Sequence, residues 1–118
     1  MRAKSVTASA LLMLSTLSAQ AGFFTGNELH GFCTGQGSFA LAYIMGAADT
    51  INIDILGIDK KTGQKFEQQR FICVPPGATG GQVRDVACKY LSDHPEDRQL
   101  PATWLVYRAL LIAWPCAQ

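Results

Sequence analysis

Few residues in this chain have the type and spacing to do chemistry. His30 and Cys33 stand three apart, which on a helix puts an imidazole beside a thiol, the minimum for a base-activated nucleophile. Cys33 is one of four cysteines, with Cys73, Cys88 and Cys116, and disulfide bonding competes for it. No two cysteines have the close spacing of a zinc site, and the histidines, His30 and His94, lie far apart; no metal ligand set is read here. Gly77-Ala78-Thr79-Gly80-Gly81 lacks the lysine and spacing of a phosphate-binding loop, and a turn followed by a helix cap accounts for it. Asp49 follows two alanines in an apolar stretch; if buried it needs a partner, with Arg84 and Arg108 as candidates. His94 precedes Pro95, where a solvated helix-end imidazole suits the helix dipole. The inventory points to a protein that is not an enzyme and takes no cofactor.

The compartment follows from the N-terminus. Arg2 and Lys4 precede an apolar run from Val6 to Leu17, and Ala19-Gln20-Ala21 has the small-x-small pattern of a signal-peptidase site. The run is short for a membrane anchor. Residues 1–21 are therefore read as a cleaved signal peptide and 22–118 as one helical domain acting in the periplasm. Without Arg2 and Lys4, eight basic residues face nine acidic ones. A nearly neutral chain without basic clusters excludes nucleic acid and anionic membrane as main partners. An even cysteine count in an exported small domain implies two disulfides.

Those disulfides must staple helices, and four helices can be placed. Thr25-Gly26-Asn27-Glu28 is a capping box, Leu29, Phe32 and Cys33 share a face, and Gly35 offers a left-handed stop. The second helix is expected over about Ser38 to Leu56, with Gly46, Ala47 and Ala48 small enough for close helix approach. Its end, Ile51 to Ile55, alternates with period two; a continuing helix is favoured over a strand because no turn residue intervenes. Residues 57–70 are polar and form a loop, or a short hairpin if the alternating run is a strand.

Pro75-Pro76-Gly77 forces a turn, and Thr79-Gly80-Gly81-Gln82 is a second capping box. Val83, Val86, Ala87, Tyr90 and Leu91 then form the stripe of a third helix that stops at His94-Pro95. After the charged connector Glu96-Asp97-Arg98, Pro101 opens a fourth helix that ends before Pro115. That helix is apolar nearly all round, either as a core helix or as one presenting Trp104, Tyr107 and Leu111 to a second copy in a homodimer. The fold class is thus all-α, a small disulfide-stapled bundle of about four helices. Four cysteines allow three pairings. An antiparallel hairpin of the last two helices brings Cys73 near Cys116, which favours that bridge together with Cys33–Cys88.

Several separated motifs carry a family resemblance. They are Tyr43-Ile44-Met45-Gly46-Ala47-Ala48-Asp49, Cys73-Val74-Pro75-Pro76-Gly77-Ala78-Thr79 with Gln82-Val83, Lys89-Tyr90-Leu91 with His94-Pro95-Glu96, Leu100-Pro101-Ala102 and Trp114-Pro115-Cys116. In order and spacing the chain resembles the Rap/Tai family of immunity proteins associated with bacterial type VI secretion. The resemblance implies a helical, often dimeric periplasmic inhibitor that binds a peptidoglycan amidase effector and blocks its cleft. Two features depart from it: residues 51–70 are longer and more polar, and Ala40-Leu41-Ala42 stand where the family often has a cysteine, with Cys88 appearing instead.

The residues themselves suggest where inhibition would act. Asp93, His94, Glu96, Asp97 and Arg98 project charge between two rigid helices, a shape suited to entering a cleft, although solvated connectors of this kind are common. The competing reading is a periplasmic housekeeping or stress protein, a small helical holdase similar to the acid-stress chaperones. Protection of many clients at low pH would favour the holdase; stoichiometric binding of one amidase would favour immunity.

Overall fold

The computed structural model describes residues 22–53, 56–58, 61–67 and 70–117. Four α-helices are found among them: α1 (Gly26–Gly35), α2 (Gly37–Ile53), α3 (Gly80–Asp93) and α4 (Ala102–Ala113). Two short strands, β1 (Leu56–Ile58) and β2 (Lys65–Glu67), pair antiparallel with Gly57 opposite Phe66. The small all-α, disulfide-stapled bundle is therefore present, and the polar stretch after α2 takes the hairpin form. The signal-peptide residues and Asp54-Ile55 of the alternating run lie outside the described residues.

Both capping boxes form. Thr25 accepts from the Glu28 amide while the Glu28 side chain reaches back to the Thr25 amide, and Thr79 and Gln82 do the same for α3. The end of α1 differs from expectation. Gly35 stays helical, and the chain turns at Gln36 with φ −137°, outside the left-handed region. No left-handed cap is needed because Gln36 serves both helices: its amide donates to the Phe32 carbonyl, and its own carbonyl accepts from Phe39 and Ala40 at the start of α2. At the far end α2 stops at Ile53, earlier than expected, and Leu56 is already in a strand. Within the alternating run Ile51, Asn52 and Ile53 continue the helix as expected, and the strand begins only beyond the run, at Leu56.

The core gathers one stripe from each helix: Leu29 of α1, Ala40 and Ile44 of α2, Leu91 of α3, and Leu105, Val106 and Leu110 of α4. Each fully buried leucine or isoleucine contributes roughly 2 kcal/mol relative to exposure. Phe24, edge-on to Phe32, Phe39 and Tyr43, centres an aromatic cluster where α1 meets α2, with ring centroids 4.5–6.0 Å apart. The third-helix stripe is as expected, with Val83, Ala87, Tyr90 and Leu91 buried. Asp49 is exposed, while Arg84 pairs with Asp85 and Arg108 with Asp97, so the internal partner sought for Asp49 is not required.

The disulfides are Cys33–Cys88, joining α1 to α3, and Cys73–Cys116, joining the segment before α3 to the one after α4. Cys33 is thereby unavailable as a nucleophile, and His30 lies instead 3.4 Å from Ser92 Oγ.

Two strand-like crossings close the bundle, one at each end of α4. Thr25 lies opposite Pro101, and Ile72 lies opposite Pro115. At the first, the Gly26 amide donates to Leu100 O and the Ala102 amide to Phe24 O. At the second, Cys73 donates to Trp114 O and Cys116 to Phe71 O. In both, the proline occupies the non-hydrogen-bonded position of the pair, where its missing N–H costs nothing.

Candidate functional site

The connector between α3 and α4 is where the charged residues converge. Proline at 95 keeps His94 out of the helical region, so α3 ends at Asp93 and the chain makes a 3₁₀ turn over Pro95–Asp97. Arg98 holds this turn from two sides. Its guanidinium donates to the carbonyls of Leu91 (2.5 Å) and Ser92 (3.2 Å), which the end of α3 leaves without helical partners. Its own carbonyl accepts from the Asn27 amide (2.8 Å) at the start of α1. The helix packs so tightly here that Gly26 has no room for a side chain: a Cβ would collide with Leu105 and lie 2.9 Å from Arg98 Cα.

Asp97 is the second anchor. Its Oδ2 accepts from Tyr90 Oη at 2.8 Å and from Arg108 Nη1 at 3.3 Å, tying the turn to α3 and α4 together. Burial, with the bond to Asp97, pushes the Tyr90 hydroxyl above its usual pKa, so it remains a donor at neutral pH. Arg108 in turn lies over the Trp104 indole, its Cζ 5.2 Å from the ring centroid.

The remaining charged groups face outward. Asp93 pairs with Lys89 one helical turn back, Nζ to Oδ2 2.6 Å. His94 stacks on Tyr90 at 4.3 Å between centroids, and its Nδ1 lies 3.0 Å from Glu96 Oε1. The His94 hydrogen bond, then the Glu96 backbone amide, hold the Glu96 carboxyl below its ordinary range. Of the five residues singled out in sequence, Asp97 and Arg98 therefore face inward as supports. Asp93, His94 and Glu96 form the outer edge. Their separation into two groups depends on partners in α3, α4 and α1 that no local pattern encodes.

His94, Glu96 and Asp97 bring one donor atom each within 4.8 Å, a set that the sequence reading did not take as metal ligands. Those donors are already engaged with one another, Tyr90 and Arg108, and the guanidinium puts a fixed positive charge beside them. The group reads as an ion-pair network. Elsewhere, an open groove of about 560 Å³ lies between α2 and α4, lined by Ala42, Tyr43, Gly46, Ala47, Thr50, Ile51 and Thr103. The Gly77 turn is a tight one, φ +88°, with the Ala78 amide on Pro75 O, and leads straight into the α3 cap. On α4, Trp104 is about half exposed while Tyr107 and Leu111 are half-buried.

A rigid, doubly stapled helical scaffold that offers a braced charged turn is the form of a binding protein. Residues 25–116 match the family model of Rap1a immunity proteins, and the chain belongs to that family. Membership in an immunity family implies a partner effector. No curated protein and no solved structure matches the chain significantly.

Proposed function

We propose that this protein is a periplasmic immunity protein that binds a type VI secretion peptidoglycan amidase and blocks its active-site cleft with the connector after α3. It acts by occupying the cleft and performs no reaction of its own. The family match and the connector's construction support this reading, and the second carries it: Arg98, Asp97, Tyr90 and the start of α1 hold the turn so that Asp93, His94 and Glu96 project in a fixed geometry. A loop ordered before binding loses little conformational entropy on entering a cleft. Two disulfides suit an oxidising compartment, where such effectors meet their substrate.

The test is hydrolysis of purified peptidoglycan by a type VI amidase with increasing amounts of this protein. Wild type abolishes cleavage at equimolar ratio, and a variant carrying Asp93→Lys and Glu96→Lys inhibits at least ~10-fold less well. Asp97 is left in place because it supports the turn. Equal inhibition by wild type and variant would remove the connector from the contact.

A further inference from the structure

The Trp104–Arg108 edge of α4 adjoins the connector and has the composition of an interface centre. Trp104 is 49% exposed, and the Arg108 guanidinium lies over its ring. A half-exposed indole beside an arginine has the make-up of a contact centre, since tryptophan, tyrosine and arginine dominate the energetics of protein contacts. Arg108 joins this ring to the connector: the same guanidinium that stacks on Trp104 donates Nη1 to Asp97. A guanidinium has five donors, and only this one hydrogen bond is made to another described side chain. The side chain is about two-fifths exposed, so its remaining edge is open to a partner carboxylate or carbonyl.

We infer that Trp104 and Arg108 form, with the outer edge of the connector, one continuous surface for the effector, in which Trp104 is the apolar anchor and Arg108 binds an acidic or carbonyl oxygen of the partner. This rests on the inhibitory reading given above. Continuity decides the occupant. Tyr90, Asp97, Arg108 and Trp104 are linked in sequence by contact, so a protein seated on Glu96 and His94 meets the indole next. A second copy of the chain, the occupant that the apolar pattern of α4 suggests, would have to cover the indole while leaving the connector beside it free. The partner has a matching chemistry: a flat apolar patch for the indole flanked by an oxygen acceptor for the guanidinium, next to donors for Glu96.

The experiment uses the full mature protein and a panel of purified type VI peptidoglycan amidases, with dissociation constants and dissociation rates measured for wild type, Trp104→Ala, Trp104→Phe and Arg108→Lys. Trp104→Ala weakens binding ~30-fold or more, chiefly through faster dissociation. Trp104→Phe recovers part of the loss, and Arg108→Lys loses affinity because a lysine cannot present the planar fork. Melting temperature and elution volume of Trp104→Ala match wild type, since the Tyr90–Asp97–Arg108 contacts remain. Unchanged affinity in Trp104→Ala overturns the assignment. A shift of Trp104→Ala from dimer to monomer with amidase affinity retained also overturns it and gives the face to a second copy. Should wild type bind no amidase while remaining folded, the inhibitory reading falls first and this assignment with it.

Discussion

The two ends of α4 solve one problem in different ways. At each, an extended segment crosses beside a proline through a pair of backbone hydrogen bonds, Thr25 by Pro101 and Ile72 by Pro115. The Pro115 end is closed covalently by Cys73–Cys116, with Cα atoms 4.9 Å apart. The Pro101 end has no covalent link and is held by polar side chains, Arg98 on the α3 carbonyls and Asp97 between Tyr90 and Arg108. A disulfide needs no particular surface chemistry around it. A hydrogen-bonded turn must carry polar groups, and those not used inward are left at the surface in fixed positions. The stapled end thus secures the scaffold, and the hydrogen-bonded end offers a patterned surface.

Removing the staple should give the largest loss of stability. With its cysteines 43 positions apart, Cys73→Ala/Cys116→Ala costs about 4 kcal/mol on the loop-entropy model. Denaturant unfolding measures this. Amidase inhibition, assayed well below the lowered melting point, should nevertheless match wild type, because the change lies at the other end of α4.

Gly26→Val strikes the hydrogen-bonded end. The new side chain meets Leu105 and the Arg98 backbone, forcing α1 away from the connector. Overpacking of this kind costs about 3 kcal/mol, read from the same unfolding curves, and here inhibition should fall with stability. If Gly26→Val kept full inhibition, the link between α1 docking and connector geometry would be broken.

A smaller stability effect with a larger functional one is expected at Asp97. Replacing it by alanine leaves Tyr90 Oη and Arg108 without their acceptor, at about 2 kcal/mol. The loss of inhibition should exceed that of the disulfide variant although the loss of stability is smaller. This inversion is the sharpest form of the comparison.

The smallest effect concerns pH. Glu28 closes the α1 capping box beside Pro101, and hydrogen bonds from the Thr25 amide, then its hydroxyl, hold its carboxyl below the ordinary range. A lowered folded-state pKa means that the contribution is complete above the ordinary carboxylate range and fades as pH falls through the folded value. Glu28→Gln should flatten that part of the acid unfolding profile, with a slightly lower stability at neutral pH and no change at the acid end.

Much of this architecture was legible because it is local. Both capping boxes, the stop before Pro95 and the apolar stripe of α3 depend on residues within a turn or two of one another, and the Cys73–Cys116 bridge followed from where those helices start and stop. The misread features are set by more distant or competing terms. Gly35 stayed helical because Gln36 could end one helix and begin the next, and Leu56, placed at the end of α2, pairs instead in the hairpin with Glu67. At the candidate site, five charged residues could be seen as a cluster. That Asp97 and Arg98 turn inward required Tyr90, Arg108 and the start of α1, contacts that only the folded chain supplies. The nearness of Trp104 to that cluster was hidden for the same reason.

The central claim is that inhibition resides at the hydrogen-bonded end, and a matched pair of variants tests it most directly. Amidase inhibition is titrated with Glu96→Lys and with Cys73→Ala/Cys116→Ala against wild type, each at a temperature where it is folded. The account predicts that Glu96→Lys keeps its stability and loses at least ~10-fold in inhibition, while the double alanine variant loses stability and inhibits as wild type does. Full inhibition by Glu96→Lys, or its loss in the folded double alanine variant, would contradict it.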